Sequence, residues 1–484
     1  ATTSTPGIPW KGRPRGGLML RSVLAGLTAL AVTLVPASCA PAIGPAADDP
    51  YFPGMGDSGF DVQHYRITVR MNPDSGWLRG RAVVTAQATS DLSRFHLELA
   101  LRADSVAVNG QQAQFWRGSG LQLVVQPAAT VPANTPMIVE INYRGNPARA
   151  DRTDDYPWLR GAGEQLGIGE PRIAPWWFPA NDHPRDKARY DVVGFVPRGQ
   201  QFVSNGRLVA TRDVGRWSRW HWQMAEPMPS YATLFAAGDY RLQHRGGTWP
   251  ATYAVSQALS PADQRANLRL LRTTAGLVRW LQTQFGPYPF GQVGGLVSGT
   301  FDNEDWSMET QTRPTYPDLT EVSDARALLV HELAHQWFGD SVTPARWRDI
   351  WLNEGFARWA EVRYAETHGG RSGRDWLGRQ WRGHHAGSQF WQLQIGDPGP
   401  DHLFAWAVYD RGAMAVEALR QRIGDPDFFR LVRLWTEQNR WGTVTVEQFE
   451  ALAEQVAGQD LSAFFQAWLM DQGRPAWTPA NGLG

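Results

Sequence analysis

"SDARALLVHELAHQWFGD", Ser323 to Asp340, carries no Pro or Gly before Gly339 and offers Ser323 as an N-cap, so it predicts a helix that stops at Gly339. Residues four apart on a helix differ by about 40° in azimuth, so His331 and His335 project one above the other and can clamp one ion through their imidazole nitrogens. Glu332 flanks that ion. It is placed to take a proton from water, which zinc acidifies from about 15.7 to roughly 7. A short H-E-x-x-H pattern also arises by coincidence, so a third ligand decides the matter.

A third histidine six positions after His335 would make the site a metzincin, but that position is Ser341, and the Gly expected third after His335 is Phe338. The chain offers instead "WLNEGFARWAEVRY", a second helical stretch whose Glu354 lies nineteen positions beyond His335. A glutamate on a neighbouring helix would complete an open three-ligand zinc site.

HELAHQWFGD with WLNEGFA at this distance beyond it resembles the aminopeptidase N family of zinc metallopeptidases, gluzincins related to leukotriene hydrolase. Thermolysin-like endopeptidases place the third ligand one residue further along and lack the NEGFA context. The resemblance implies one zinc per chain, held by His331, His335 and Glu354, with Glu332 as the base. It also implies that acidic side chains fix the ammonium of a peptide's free N-terminus, which offsets the desolvation of that cation. The family's main anchor stands in a G-x-M-E-N segment before the zinc helix. Here "DWSMETQTRPTY" puts Glu309 at the anchor, with Trp306 in place of the usual Gly and Thr310 in place of Asn. These two departures bear on substrate geometry more than on chemistry. A second anchor, Glu170, is implied by "GEPRIAPWWFPANDHPRDKARYDV", and the oxyanion donor, Tyr409, by "AVYDRGAMAVEALR", which fits the family's Y-x-x-G-A context.

The rest of the chain frames that site. Its 484 residues predict two or three domains, and a hydrophobic share of 42% suffices for a sizeable core. Basic and acidic residues balance at 47 each, so no global charge draws the protein to nucleic acid. Residues 1–40 read as an export signal: basic residues precede the apolar run SVLAGLTALAVTLV, and Cys39 in "PASCA" stands where a lipoprotein signal is cut and acylated. Cleavage after Ala40 is the alternative. Cys39 is the only cysteine, so no internal disulfide forms.

A Pro/Ala-rich linker spans 41–53. From there to about residue 245 short, often β-branched strands predict a mostly antiparallel β domain, with Tyr65, Ile67, Val69 and Met71 on one face and Arg66, Thr68 and Arg70 on the other. Helical spacing takes over in 246–484, beginning with a stretch from Pro261 to Gly286 that reads as one helix. The expected fold is therefore α+β, a β domain followed by a mainly helical catalytic domain, which the resemblance makes thermolysin-like. Relatives continue into a large C-terminal helical domain. The sequence ends at Gly484, and the expectation is a more open cleft without that domain.

The implied activity is zinc-dependent hydrolysis of the N-terminal residue from peptides, by an extracytoplasmic monomer that meets the membrane only through a lipid at Cys39. A thermolysin-type endopeptidase or a non-catalytic peptide-binding lipoprotein are the competing readings.

Overall fold

The computed structural model describes residues 49–150, 158–161, 163–301 and 306–484; the export run and Cys39 lie outside the described residues. Alternation builds the first half. In β1 (Phe60–Asn72), Tyr65, Ile67, Val69 and Met71 are at most 1% exposed, while Arg66 and Arg70 face water. β1 is central in an eight-stranded sheet with β2 (Trp77–Ala88), β3 (Arg102–Val108), β4 (Gln111–Gln112), β5 (Pro136–Gly145), β6 (Ala188–Pro197), β7 (Arg207–Val214) and β8 (Trp217–Met228). Their spatial order is β7-β8-β6-β1-β2-β5-β3-β4. The β1–β6 pairing is parallel and the others are antiparallel. The buried face packs on Trp177, Phe178 and Phe235, from the loops and a smaller sheet beyond.

A second sheet runs β9 (Tyr240–Arg245), β10 (Ala251–Ser256), β11 (Val293–Val297), β12 (Thr315–Tyr316). The boundary expected at residue 245 falls inside the β9–β10 hairpin, whose register runs from Tyr240 opposite Ser256 to Arg245 opposite Ala251. By its hydrogen bonds β9 goes with the second sheet. Beyond it come α1 (Pro261–Leu271), α2 (Thr274–Phe285), α3 (Ala325–Ala334), α4 (Trp351–Thr367), α5 (Gly373–Gly383), α6 (Trp406–Ile423), α7 (Asp425–Gln438) and α8 (Val446–Ala457). Among the described residues no helix is long and apolar enough to cross a membrane.

Two helix limits differ from expectation. The single helix read over Pro261–Gly286 is broken into α1 and α2 at Arg272–Thr273, where the Thr273 hydroxyl donates to the Leu270 carbonyl at 2.6 Å. The H-E-x-x-H helix, α3, starts one residue late, capped by Asp324, whose carboxylate accepts from the Ala327 N–H at 2.9 Å. It also ends at His335, four residues before Gly339: the Gln336 and Trp337 N–H groups bond three residues back, and Gly339 then turns the chain with φ +118°.

Backbone contact fixes the helices that matter. A Cβ on Gly355 of α4 would lie 3.0 Å from the Gly412 backbone of α6, and one on Gly412 would lie 2.9 Å from Gly355 Cα. Only glycine at both positions lets α4 and α6 cross this closely. Lys187, from the β domain, donates to the carbonyls of Asp340 and Ser341 at 2.9 and 2.8 Å, and so ties that domain to the turn after α3. Buried Arg313 reaches back to the carbonyls of Ser204 and Gly206.

Candidate active site

The last turn of α3 and the first turn of α4 face each other, and their side chains converge. His331 Nε2 and His335 Nε2 are 3.1 Å apart, and Glu354 Oε2 lies 3.5 and 3.4 Å from them. The circle through those three atoms has a radius of about 1.9 Å, so a point about 2.0–2.1 Å from each lies just off their plane, the distance zinc takes from such ligands. Each imidazole is also oriented for the task. His331 Nδ1 is 2.7 Å from Glu361 Oε1, and His335 Nδ1 is 3.0 Å from the Phe338 carbonyl. Acceptors at both Nδ1 atoms put the protons there and turn the Nε2 lone pairs toward the shared point. The donor set, two imidazoles and one carboxylate, suits zinc.

All of this is buried: His331, His335 and Glu354 are 1–2% exposed. Burial works against charge on the imidazoles, and the carboxylates around them outweigh it, raising His331 to about 10 and His335 to about 9. A pocket that holds positive charge this firmly is an electrostatic match for a divalent cation.

Glu332, next to His331 on α3, has a ligand atom within 4.8 Å of one on His335 and is 2% exposed. Its Oε1 accepts from the Ser307 hydroxyl at 2.6 Å, and its Oε2 has no hydrogen-bond partner among the described residues. Desolvation pushes its carboxyl up to about 7, against the pull of the two imidazoles. A carboxyl poised there can both accept and return a proton at neutral pH.

Ser307 belongs to the segment that carries Glu309. That segment extends the second sheet: Met308 pairs with Thr315 through bonds of 2.9 and 2.8 Å. Glu309 is thus at a strand edge but not solvated, being 3% exposed with Oε1 lacking a partner among the described residues. One of its oxygens lies within 4.8 Å of ligand atoms of Glu332 and His335. Thr310 turns inward, its hydroxyl donating to the Arg313 carbonyl at 2.6 Å, and Trp306 stands edge-on to Phe301 at 5.2 Å.

Glu170 and Tyr409 reach the same space. The Tyr409 ring stacks beside His331 with centroids 6.2 Å apart. Its phenol is raised well above the ordinary value by burial, and then by the charges of Glu354, Glu170 and Glu309, which places all three carboxylates near it. The Gly355–Gly412 crossing explains the approach, since Glu354 precedes one glycine and Tyr409 lies three residues before the other.

Three residues of the site are not evident from the sequence motifs. Ser307 gives no local signal, because its role is a contact across space. Glu361, on His331, lies seven residues after Glu354, two helical turns along the same face, and that spacing is a usable signal. Arg358 joins the site's parts: its guanidinium pairs with Glu361 and, at 2.7 Å, with Asp410 next to Tyr409. His384 and His385 stay outside; His384 stacks on Phe390 at 3.7 Å.

A β domain joined to a helical domain, with an H-E-x-x-H helix and a glutamate on the next long helix, defines the gluzincin class of zinc proteins. Family models agree. The Peptidase M1 N-terminal domain matches residues 61–232 and the Peptidase family M1 domain residues 304–468, and the chain belongs to this family. It is 26% identical over 327 residues to Aminopeptidase N of Streptomyces lividans, covering 61% of this chain and 36% of that protein. With Aminopeptidase N of Lactococcus lactis subsp. cremoris it is 25% identical over 464 residues, or 87% and 51% of the two chains. The chain thus spans about half or less of the length of these relatives. A crystal structure of an M1 zinc metallopeptidase from Deinococcus radiodurans, a mutant bound to a Tyr-Ser-Ala substrate, superposes with a TM-score of 0.78 at 25% identity, covering 89% of this chain and 99% of that one. A two-domain M1 zinc metallopeptidase bound to L-arginine gives 0.78 at 26% identity.

Proposed function

We propose that the protein is a zinc aminopeptidase that removes the N-terminal residue from peptides. The observation that carries this reading is Glu309, a buried carboxylate with an unpartnered oxygen beside the metal ligands. A buried carboxylate left open in this way suits a cation, and the α-ammonium of a free N-terminus is the cation a peptide offers next to its first scissile bond. Glu170, whose charge acts on the Tyr409 phenol, is the second arm of that grip.

His331, His335 and Glu354 hold the zinc, which when bound polarises the scissile carbonyl and acidifies water. Glu332 takes the proton of the attacking water on Oε2 and passes it to the leaving amine, while Ser307 keeps Oε1 fixed so that one oxygen alone moves protons. Tyr409 donates its phenolic proton in a hydrogen bond to the oxygen that gains charge, and its raised pKa keeps that proton in place at neutral pH. Desolvation strengthens each of these contacts.

Turnover of one short peptide and of its N-acetylated twin, with and without a zinc chelator, tests the reading. Cleavage of the free peptide alone, lost with chelator, is expected. Equal cleavage of both twins would make the protein an endopeptidase, and cleavage of neither would return it to the peptide-binding class. Export and the lipid at Cys39 are supported by the apolar run before it, and the mass of the mature N-terminal peptide tests both.

A further inference from the structure

Away from the zinc triad, α2 with the turn before it, α3 and α4 border an open surface pocket of about 380 Å³, with which the active site shares no residue. Arg272, Arg279 and Arg326 line it, with an aromatic wall of Trp280, Tyr364 and His368, and among the described residues no carboxylate lines it. Arg279 and Arg326 have no ion-pair or hydrogen-bond partner among the described residues, and Arg272 Nε donates to the neutral Gln243 Oε1 at 2.8 Å. Arg272 and Arg279 are exposed and Arg326 is half-buried, and three guanidiniums around one concavity with no counter-charge among the described residues repel one another. An anion would relieve that.

The walls favour a particular kind of anion. Tyr364 and His368 stack at 3.9 Å and 20°, and Trp280 stands edge-on to Tyr364 at 5.0 Å, so one side is an aromatic corner held in place by its own ring contacts. The floor is the first turn of α2, the helix created by the break at Thr273, which no side chain caps. Gly276 in that turn leaves space above the backbone, although its own N–H donates to the Thr273 carbonyl at 2.9 Å: an added Cβ would meet only the Arg279 side chain, at 3.8 Å. Glycine inside a helix costs about 1 kcal/mol relative to alanine, and no packing neighbour here requires it. Guanidinium forks match phosphate oxygens in pairs, and a volume in the range of small-molecule pockets leaves room for more than the phosphate.

We propose that this pocket is a binding site for a phosphate monoester, with the phosphate on Arg279, Arg326 and Arg272 and the ester group against Trp280 and Tyr364. Its walls come from the helices that hold the zinc ligands, Arg326 five residues before His331 and Tyr364 ten after Glu354, so a bound ligand cross-links α3 and α4 at a distance from the metal. The proposal does not depend on the reading of the zinc site.

The test is isothermal titration of the zinc-loaded protein with phenyl phosphate, in parallel with sedimentation of phosphatidylcholine vesicles containing or lacking phosphatidic acid. Arg279→Gln and Arg326→Gln are compared with the unaltered chain, with melting temperature as the check on folding. Each substitution should weaken binding about tenfold, the loss expected for one charge-assisted contact, and added salt should weaken it further. Saturable binding of phenyl phosphate with this dependence assigns the site to a soluble ester, and binding of the phosphatidic acid vesicles alone assigns it to a lipid headgroup. No binding of either, or binding that both substitutions leave unchanged, as phosphate held only at the zinc would be, overturns the proposal.

Discussion

Among the described residues, histidine is buried among carboxylates in two clusters. In the β domain, His96 Nδ1 lies 3.3 Å from Asp57 and its Nε2 lies 3.2 Å from Glu98. Those carboxylates are themselves engaged: Asp57 accepts from the Gly59 and His96 N–H groups, and Glu98 accepts from the Asp182 N–H at 2.9 Å. In the catalytic domain each histidine directs one nitrogen to an acceptor, and the other two nitrogens meet Glu354 around a common point. Both clusters hold positive charge, with His96 and His331 each raised to about 10. Charge and burial therefore do not distinguish a structural cluster from a metal centre. The convergence of ligand atoms does.

The hardest test of that distinction pairs one substitution from each cluster. Glu354→Gln should abolish zinc retention, measured by elemental analysis after dialysis, and with it turnover, while the β domain melts as before. His96→Gln should leave zinc at one per folded chain and destabilise the β domain by about 3–5 kcal/mol, because it strands two buried carboxylates. If His96→Gln lost zinc at native pH in folded protein, or Glu354→Gln kept it, the two clusters would not differ as described.

A smaller effect is expected from Glu361→Gln. The amide can still accept from His331 Nδ1 but removes the charge that Arg358 shares between Glu361 and Asp410. Zinc affinity should fall about 10- to 100-fold by competition with a chelating dye, the usual cost of altering a ligand's partner. Smaller still, Ser307→Ala should lower kcat about tenfold with KM and zinc content unchanged, since it removes a hydrogen bond to one oxygen of Glu332 and nothing at the metal. A change in KM alone would place Ser307 in substrate binding instead.

The parts of this architecture legible in the sequence are those set by local period. Alternation puts Tyr65, Ile67, Val69 and Met71 on the buried face of β1, and a spacing of four puts His331 and His335 on one side of α3. The features that escape depend on partners remote in sequence or on competition between equal bonds. Whether Thr273 bonds its own backbone or lets the helix continue is such a competition, and α1 and α2 part there. β9 reads as one more strand of the first domain until its pairing with β10 is seen. The Gly355–Gly412 contact joins residues 57 apart, and nothing in either local stretch announces the other.

The two clusters should also answer pH in opposite directions, and this is the finest test of the comparison. Burial opposes the charge on His96, and Asp57 and Glu98 outweigh it, so its pKa rises from 6.5 to about 10 on folding. The folded state then binds the proton more tightly than the unfolded chain. That contribution is complete below pH 6.5 and is lost as pH rises through about 10. Asp182, which burial and the Glu98 charge raise from 3.8 to about 7, acts in the same sense at lower pH, its contribution fading as pH rises through about 7. Zinc behaves in reverse, because its ligands bind it only when deprotonated and protons compete with it. The β-domain transition should therefore move down by roughly 10 °C between pH 7 and pH 10, since the His96 shift is worth about 3–4 kcal/mol over that interval and about 1 kcal/mol moves a domain of this size by about 2–4 °C. Over the same interval zinc-linked protection of the catalytic domain should hold or grow. In His96→Gln the fall of the β-domain transition should flatten. An unchanged fall in that variant would show that the pH response comes from groups other than the Asp57–His96–Glu98 cluster.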